Sequence, residues 1–112
     1  FQPVASRESE QIQTKVVVLK RRRRGNAMDA AVRMEFENVP QAKKYKQCRW
    51  SLRRQRAGAK PSCLDQDFAP DSNGKIIAYF ELDSFAQGEW VQLTIRSTDG
   101  TVQKSIRFTP FK

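Results

Sequence analysis

Between residues 15 and 108 the apolar side chains come in short alternating runs, and Gly, Pro, Asn or Asp interrupts the runs. The clearest case sets Val32, Met34 and Phe36 against Arg33, Glu35 and Glu37. Side chains on a strand point alternately to opposite faces, so a period of two calls for a strand with one face buried. Ile76, Ala78, Phe80 and Leu82 repeat the pattern against Ile77, Tyr79 and Glu81, as do Val91, Leu93 and Ile95 against Gln92, Thr94 and Arg96. Further strands are expected over residues 15–22, with Val16 to Leu19 buried, over residues 45–54, and through Val102, Ile106 and Phe108. In the 45–54 strand, Cys48, Trp50 and Leu52 share the parity read as inward, and Arg49, Ser51 and Arg53 the parity read as exposed.

The punctuation agrees with this reading. Arg24-Gly25-Asn26, Asp71-Ser72-Asn73-Gly74 and Asp99-Gly100 carry the residues that tolerate left-handed backbone or bond their own turn, and Pro40 and Pro110 end runs. Residues 55–73 form the long connection, with a short edge strand expected near Leu64 to Phe68. No stretch has the apolar face of a long helix, since in the nearest, residues 40–47, Lys43, Lys44 and Lys46 interrupt it. The closing strand, Asp-Gly turn and strand of residues 88–108 resemble the last hairpin of immunoglobulin-like and fibronectin-like domains. That resemblance is architectural, covers about a fifth of the chain, and implies no function. The expected fold is all-β: a small immunoglobulin-like or fibronectin-like β-sandwich of six or seven antiparallel strands over residues 15–112, preceded by a flexible polar arm at residues 1–14.

At 112 residues the chain has room for one core and none for a second lobe, so a large cofactor is not expected. Its unbroken apolar runs, such as Val16 to Leu19, are far below the ~20 residues of a membrane-spanning helix. There is no His, which removes the most common neutral-pH base and metal ligand and argues against an enzyme. Cys48 and Cys63 are expected to form a disulfide that staples the long connection to a strand. Two thiols without His fall short of a zinc site, and Asp65, Asp67, Asp71 and Asn73 lack the distant bidentate Glu of a calcium loop. The start at Phe1 and the paired cysteines together suggest an exported protein, whether periplasmic, in the cell envelope or secreted.

The net charge of +9 is unevenly placed: residues 15–60 carry +12, residues 61–112 carry −2 and residues 1–14 carry −1. Three groups make the basic half: Arg21, Arg22, Arg23 and Arg24 beside Lys20; Lys43, Lys44 and Lys46; and Arg49, Arg53, Arg54 and Arg56. Four consecutive arginines cannot share one strand face, so they are expected at a strand end or hairpin tip. Guanidinium forks there suit carboxylates, phosphates and sulfates. Arg49-x-x-x-Arg53 resembles half of the cyclic-dinucleotide motif of PilZ domains, but the second half is missing and that function is not implied. The expected role is a non-enzymatic binding or accessory module whose basic face docks on an acidic protein or an anionic cell-envelope surface. A nucleic-acid-binding domain using the same Arg and Lys groups is the alternative. Head-to-tail association of the basic half with the acidic half of another copy is also open.

Overall fold

The computed structural model describes residues 7–112, so the first six residues of the expected arm lie outside the described residues. Two antiparallel sheets face each other. One has the order β1-β2-β5, from β1 (Gln13–Arg24), β2 (Ala27–Glu37) and β5 (Ile76–Ala86). The other has the order β4-β3-β6-β7, from β3 (Tyr45–Ser51), β4 (Ser62–Cys63), β6 (Val91–Ser97) and β7 (Gln103–Phe108). Seven strands in two packed layers make this a small β-sandwich, as the alternation of apolar residues required.

The core comes from the parities read in the sequence. Val32, Met34 and Phe36 of β2, Ile76, Ala78, Phe80 and Leu82 of β5, and Val91, Leu93 and Ile95 of β6 are all buried. Tyr45 joins them with no exposed surface, its hydroxyl donating to the Pro40 carbonyl at 2.9 Å. The connections use the expected turn chemistry. Asp71 Oδ1 accepts from the amides of Asn73 and Lys75, and Gly74 holds φ 74° where a Cβ would lie 3.1 Å from the Val39 carbonyl oxygen. At the β6–β7 turn, Asp99 accepts from the Ser97 hydroxyl and from the amide and hydroxyl of Thr101.

The run Val16 to Leu19, expected to be buried, lies on the edge strand β1, which has a neighbour on one side only, and Val18 and Leu19 are 38% and 48% exposed. The structure departs from the sequence reading in four further places. First, the N-terminal segment is not an arm throughout. Residues Arg7–Gln11 form a short helix, α1, whose Ser9 hydroxyl accepts from the Gln103 amide of β7, and Ile12 is buried in the core. A single apolar residue among polar neighbours anchors this segment, which is too sparse a pattern for periodicity to register. Second, the strand expected to run to Arg54 stops at Ser51, and Leu52–Arg56 form a second short helix, α2. The Ser51 hydroxyl caps it by accepting from the Arg54 amide at 3.2 Å.

Third, the two faces of β3 are reversed. Arg49 lies opposite Leu93 and Gln47 opposite Ile95, so these polar side chains lie on the core-facing side of their sheet. Cys48 and Trp50 lie opposite Thr94 and Gln92 on the outer side. The reason is that β3 runs beside the free edge of β5, where inward side chains meet backbone carbonyls, while the 57–63 loop covers the outer face. Fourth, the edge strand of the long connection is Ser62–Cys63, and only an isolated bridge from Tyr45 to Phe68 marks the region expected to hold it.

Cys48 and Cys63 form the expected disulfide, between directly paired residues of β3 and β4 with a sequence separation of 15. Replacing both with Ala is expected to lower unfolding free energy by about 3 kcal/mol, since the unfolded chain regains the closed loop's entropy. A urea titration of the two proteins checks this, and coincident midpoints would remove the staple from the account. Burial, and then the negative field of Glu8 and Asp99, push the Tyr45 hydroxyl up to about 12. The folded state therefore holds this proton more tightly than the unfolded chain. Its contribution is fully present below about pH 10, the unfolded value, and is lost as pH rises from there through about 12. Tyr45→Phe should accordingly show a smaller loss of urea midpoint between pH 9.5 and 11.5 than the unaltered protein.

Candidate functional site

The first arginine group lies at the end of β1, as the alternation argument required. A bulge falls between Val18 and Lys20, where the register moves from Val18 opposite Val32 to Lys20 opposite Ala31. Val16 and Val18 therefore lie on the face towards the other sheet before it, and Arg21 and Arg23 after it, opposite Ala30 and Met28, although at this sheet edge Val18, Arg21 and Arg23 all remain exposed. Arg22 and Arg24 point outward, opposite Asp29 and Ala27. Arg23 sits over the Phe111 ring with its guanidinium carbon 5.3 Å from the centroid, and its Nε donates to the Gly25 carbonyl. Arg24 pairs with Asp29 at 2.8 Å and also donates to the Ser84 hydroxyl at 3.3 Å.

The third group reaches the same end from the other sheet. Arg53 Nη2 donates to the Ser84 carbonyl at 2.8 Å and meets Glu89 at 3.1 Å. Ser84 thus joins Arg24 and Arg53, which come from β1 and α2 and lie far apart in sequence. Arg49 donates to the Glu81 carbonyl at 2.7 Å, and Gln47 to the Tyr79 carbonyl at 2.8 Å. Side chains from β3 and α2 therefore satisfy successive carbonyls on the free edge of β5, which would otherwise offer an unpaired strand to a neighbour. Arg54 is fixed by two donations to the Lys60 carbonyl, at 2.7 and 3.1 Å.

Arg49, Arg53 and Arg54, with Ser51, Ser62 and Asp83, line a cleft of about 330 Å³ between β3, α2 and β5. Each guanidinium has five N–H donors, so anchoring to a carbonyl leaves others free for an anion while fixing the plane of the group. The acidic neighbours are themselves held ionised. Asp29 lies below the usual carboxylate range because the Ser84 amide donates to it, helped by Arg24 and by the field of Arg22. Glu89 is pushed up by burial, but the Ala86 amide and Arg53 outweigh this and lower it.

Lys43, Lys44 and Lys46 do not belong to this end. Tyr45 pairs with Ser97 and Ser51 with Val91, so Lys43 and Lys44 lie just beyond the opposite end of β3 and Lys46 lies within that end, opposite Arg96. Lys43 pairs with Asp99 at 2.6 Å; hydrogen bonds from that lysine, from Thr101 and from Ser97 hold the Asp99 carboxyl far below its usual range. Lys46 pairs with the Asp67 carboxylate at 2.8 Å and donates to the Asp65 backbone carbonyl, so of the aspartates considered as calcium ligands Asp67 is engaged by a cation. Of the eleven basic residues singled out in the sequence, Arg21, Arg22, Lys44 and Arg56 have no side-chain hydrogen bond or ion pair among the described residues.

Sequence reasoning missed Ser84, which shares nothing with a charge cluster except its position after Asp83. Its φ of 60° on a non-glycine residue is the structural trace of the junction. No protein-family model, curated protein or solved structure matches this chain.

These contacts separate structural arginines from available ones. Arg49→Met, which keeps the aliphatic stem but frees the Glu81 carbonyl, is expected to cost about 1 kcal/mol of stability. Arg22→Ser should change it by less than about 0.5 kcal/mol. Paired thermal melts distinguish the two, and equal effects would mean that the edge contacts of β5 carry no weight.

Proposed function

We propose that this protein is a non-enzymatic binding module that docks the arginine end of its sandwich against an anionic partner, an acidic protein face or an anionic cell-envelope surface. The observation that carries the reading is the meeting of Arg24 and Arg53 at Ser84. It gathers two sequence-distant arginine groups at one end and leaves Arg21, Arg22 and Arg56 without intramolecular ion pairs among the described residues. A purely structural role gains nothing from adjacent cations that repel one another. Long-range attraction would steer the partner, and the fixed guanidinium planes would then clamp its carboxylates or phosphates.

Nucleic acid is less well supported. A stacking platform needs open aromatic rings between the cations, whereas Phe85 is buried and Phe111 lies beneath Arg23. The strand order β1-β2-β5 facing β4-β3-β6-β7 supports the immunoglobulin-like or fibronectin-like description of the sandwich. The disulfide is in keeping with an oxidising, exported setting.

Sedimentation with phosphatidylglycerol vesicles and pull-down on immobilised polyglutamate test the reading, with duplex and single-stranded DNA in a mobility shift as the competing arm. Binding to vesicles or polyglutamate should weaken roughly tenfold or more between 50 and 300 mM salt. It should weaken similarly when Arg21, Arg22 and Arg56 are together changed to Ser, with the melting temperature nearly unchanged. Salt-insensitive binding, no binding at low salt, or a preference for DNA would each overturn the proposal.

A further inference from the structure

The reversal of β3 leaves an apolar patch on the outside of the molecule. Trp50 and the Cys48–Cys63 disulfide lie on the outer face of the four-stranded sheet, and the 57–63 loop stands over them. Between sheet and loop is a groove of about 520 Å³. Its size falls in the range of pockets that take small organic molecules.

The walls are mostly apolar. Trp50, Pro61 and Ala59 form one end, where the Trp50 indole N–H is already donated to the Ala59 carbonyl at 3.0 Å, so the ring offers only its hydrocarbon surface. The disulfide and Thr94 form the middle, and the Thr94 hydroxyl is likewise engaged, with Ser105 at 2.7 Å. At the other end the register places Arg96 beside Gln103. Neither the Arg96 guanidinium nor the side-chain carboxamide of Gln103 has a hydrogen bond among the described residues. Lys60 adds a second cation at the Trp50 end, and no acidic side chain lines the groove.

Apolar walls and a cationic mouth without a carboxylate fit an occupant with a hydrocarbon body and an anionic head. We propose that the groove binds a small amphiphilic carboxylate. Its head would be held by Arg96 and Gln103, and its body would lie along the disulfide towards Trp50 and Pro61. The aliphatic stem of Lys60 extends the apolar wall while its ammonium stays in water. A sugar fits less well, because most of this wall can neither donate nor accept a hydrogen bond. The site is separate from the arginine end and does not depend on its partner.

Decanoate, below its micellar range, is the probe for titration of the full chain. Tryptophan fluorescence reports its entry, and displacement of anilinonaphthalene sulfonate provides a second readout. The expected result is saturable binding of decanoate, with decanol roughly tenfold weaker. Arg96→Gln should bring decanoate down to the affinity of decanol and leave decanol unchanged. Arg96 is exposed, so circular dichroism and the melting temperature should not move. The protein carrying Arg21→Ser, Arg22→Ser and Arg56→Ser should bind decanoate normally, so failure of the arginine-end reading would not affect this result. Absence of saturable binding, equal affinity for acid and alcohol, or an unaltered decanoate affinity in Arg96→Gln would each overturn the proposal.

Discussion

The free edge of β5 is closed by side chains rather than by another strand, and the layout of the charged end follows from that. A sandwich with three strands in one sheet and four in the other leaves an edge of the smaller sheet beside the larger one. Exposed carbonyls there must find donors or recruit a neighbouring chain. Gln47, Arg49 and Arg53 supply the donors, each long enough to reach β5 from β3 or α2. Guanidinium suits this place because it can bond a carbonyl with one N–H and remain hydrated through the others. A basic group on β3 is thus explained first by architecture, and only the donors left over are available to a partner.

The same constraint explains why the faces of β3 could not be read from the sequence. Alternation identifies two faces but names the buried one only when one side is plainly more apolar. In β2 and β5 it is, and Val32, Met34, Phe36, Phe80 and Leu82 point where their parity says. In β3 the inner side carries Gln47 and Arg49 because it meets a backbone edge, and the outer side carries Cys48 and Trp50 because a loop covers it. Polarity therefore inverts relative to a simple sandwich strand. Tyr45, fully buried on the same parity as Arg49, was the one residue that signalled the true orientation.

Much of the charged end was also legible, but as pieces. The hairpin position of Arg21 to Arg24 follows from the geometry of consecutive side chains on a strand. That Arg53 shares their end while Lys43 does not depends on which way β3 runs against β6. Local patterning carries no such information, because the pairing joins residues some forty to fifty positions apart. Ser84 is similarly invisible, since its contacts arise from a positive φ at a bulged edge rather than from any motif.

Pairing changes the meaning of the net charge. Arg24, Lys43, Lys46 and Arg53 are each offset by a carboxylate at 3.1 Å or less, so their fields are largely local. The lysine end is close to neutralised by Asp99 and Asp67, with only Lys44 unpaired among its three lysines. At the arginine end Asp29 and Glu89 each answer one guanidinium, and both carboxylates stay ionised under the fields around them. What remains there is the charge of Arg21, Arg22 and Arg56, with spare donors on the anchored arginines of the cleft. A chain whose positive charge looks spread over its first half therefore presents the uncompensated cations of that half mainly at one end of the sandwich, and that end is held by the contacts that close β5.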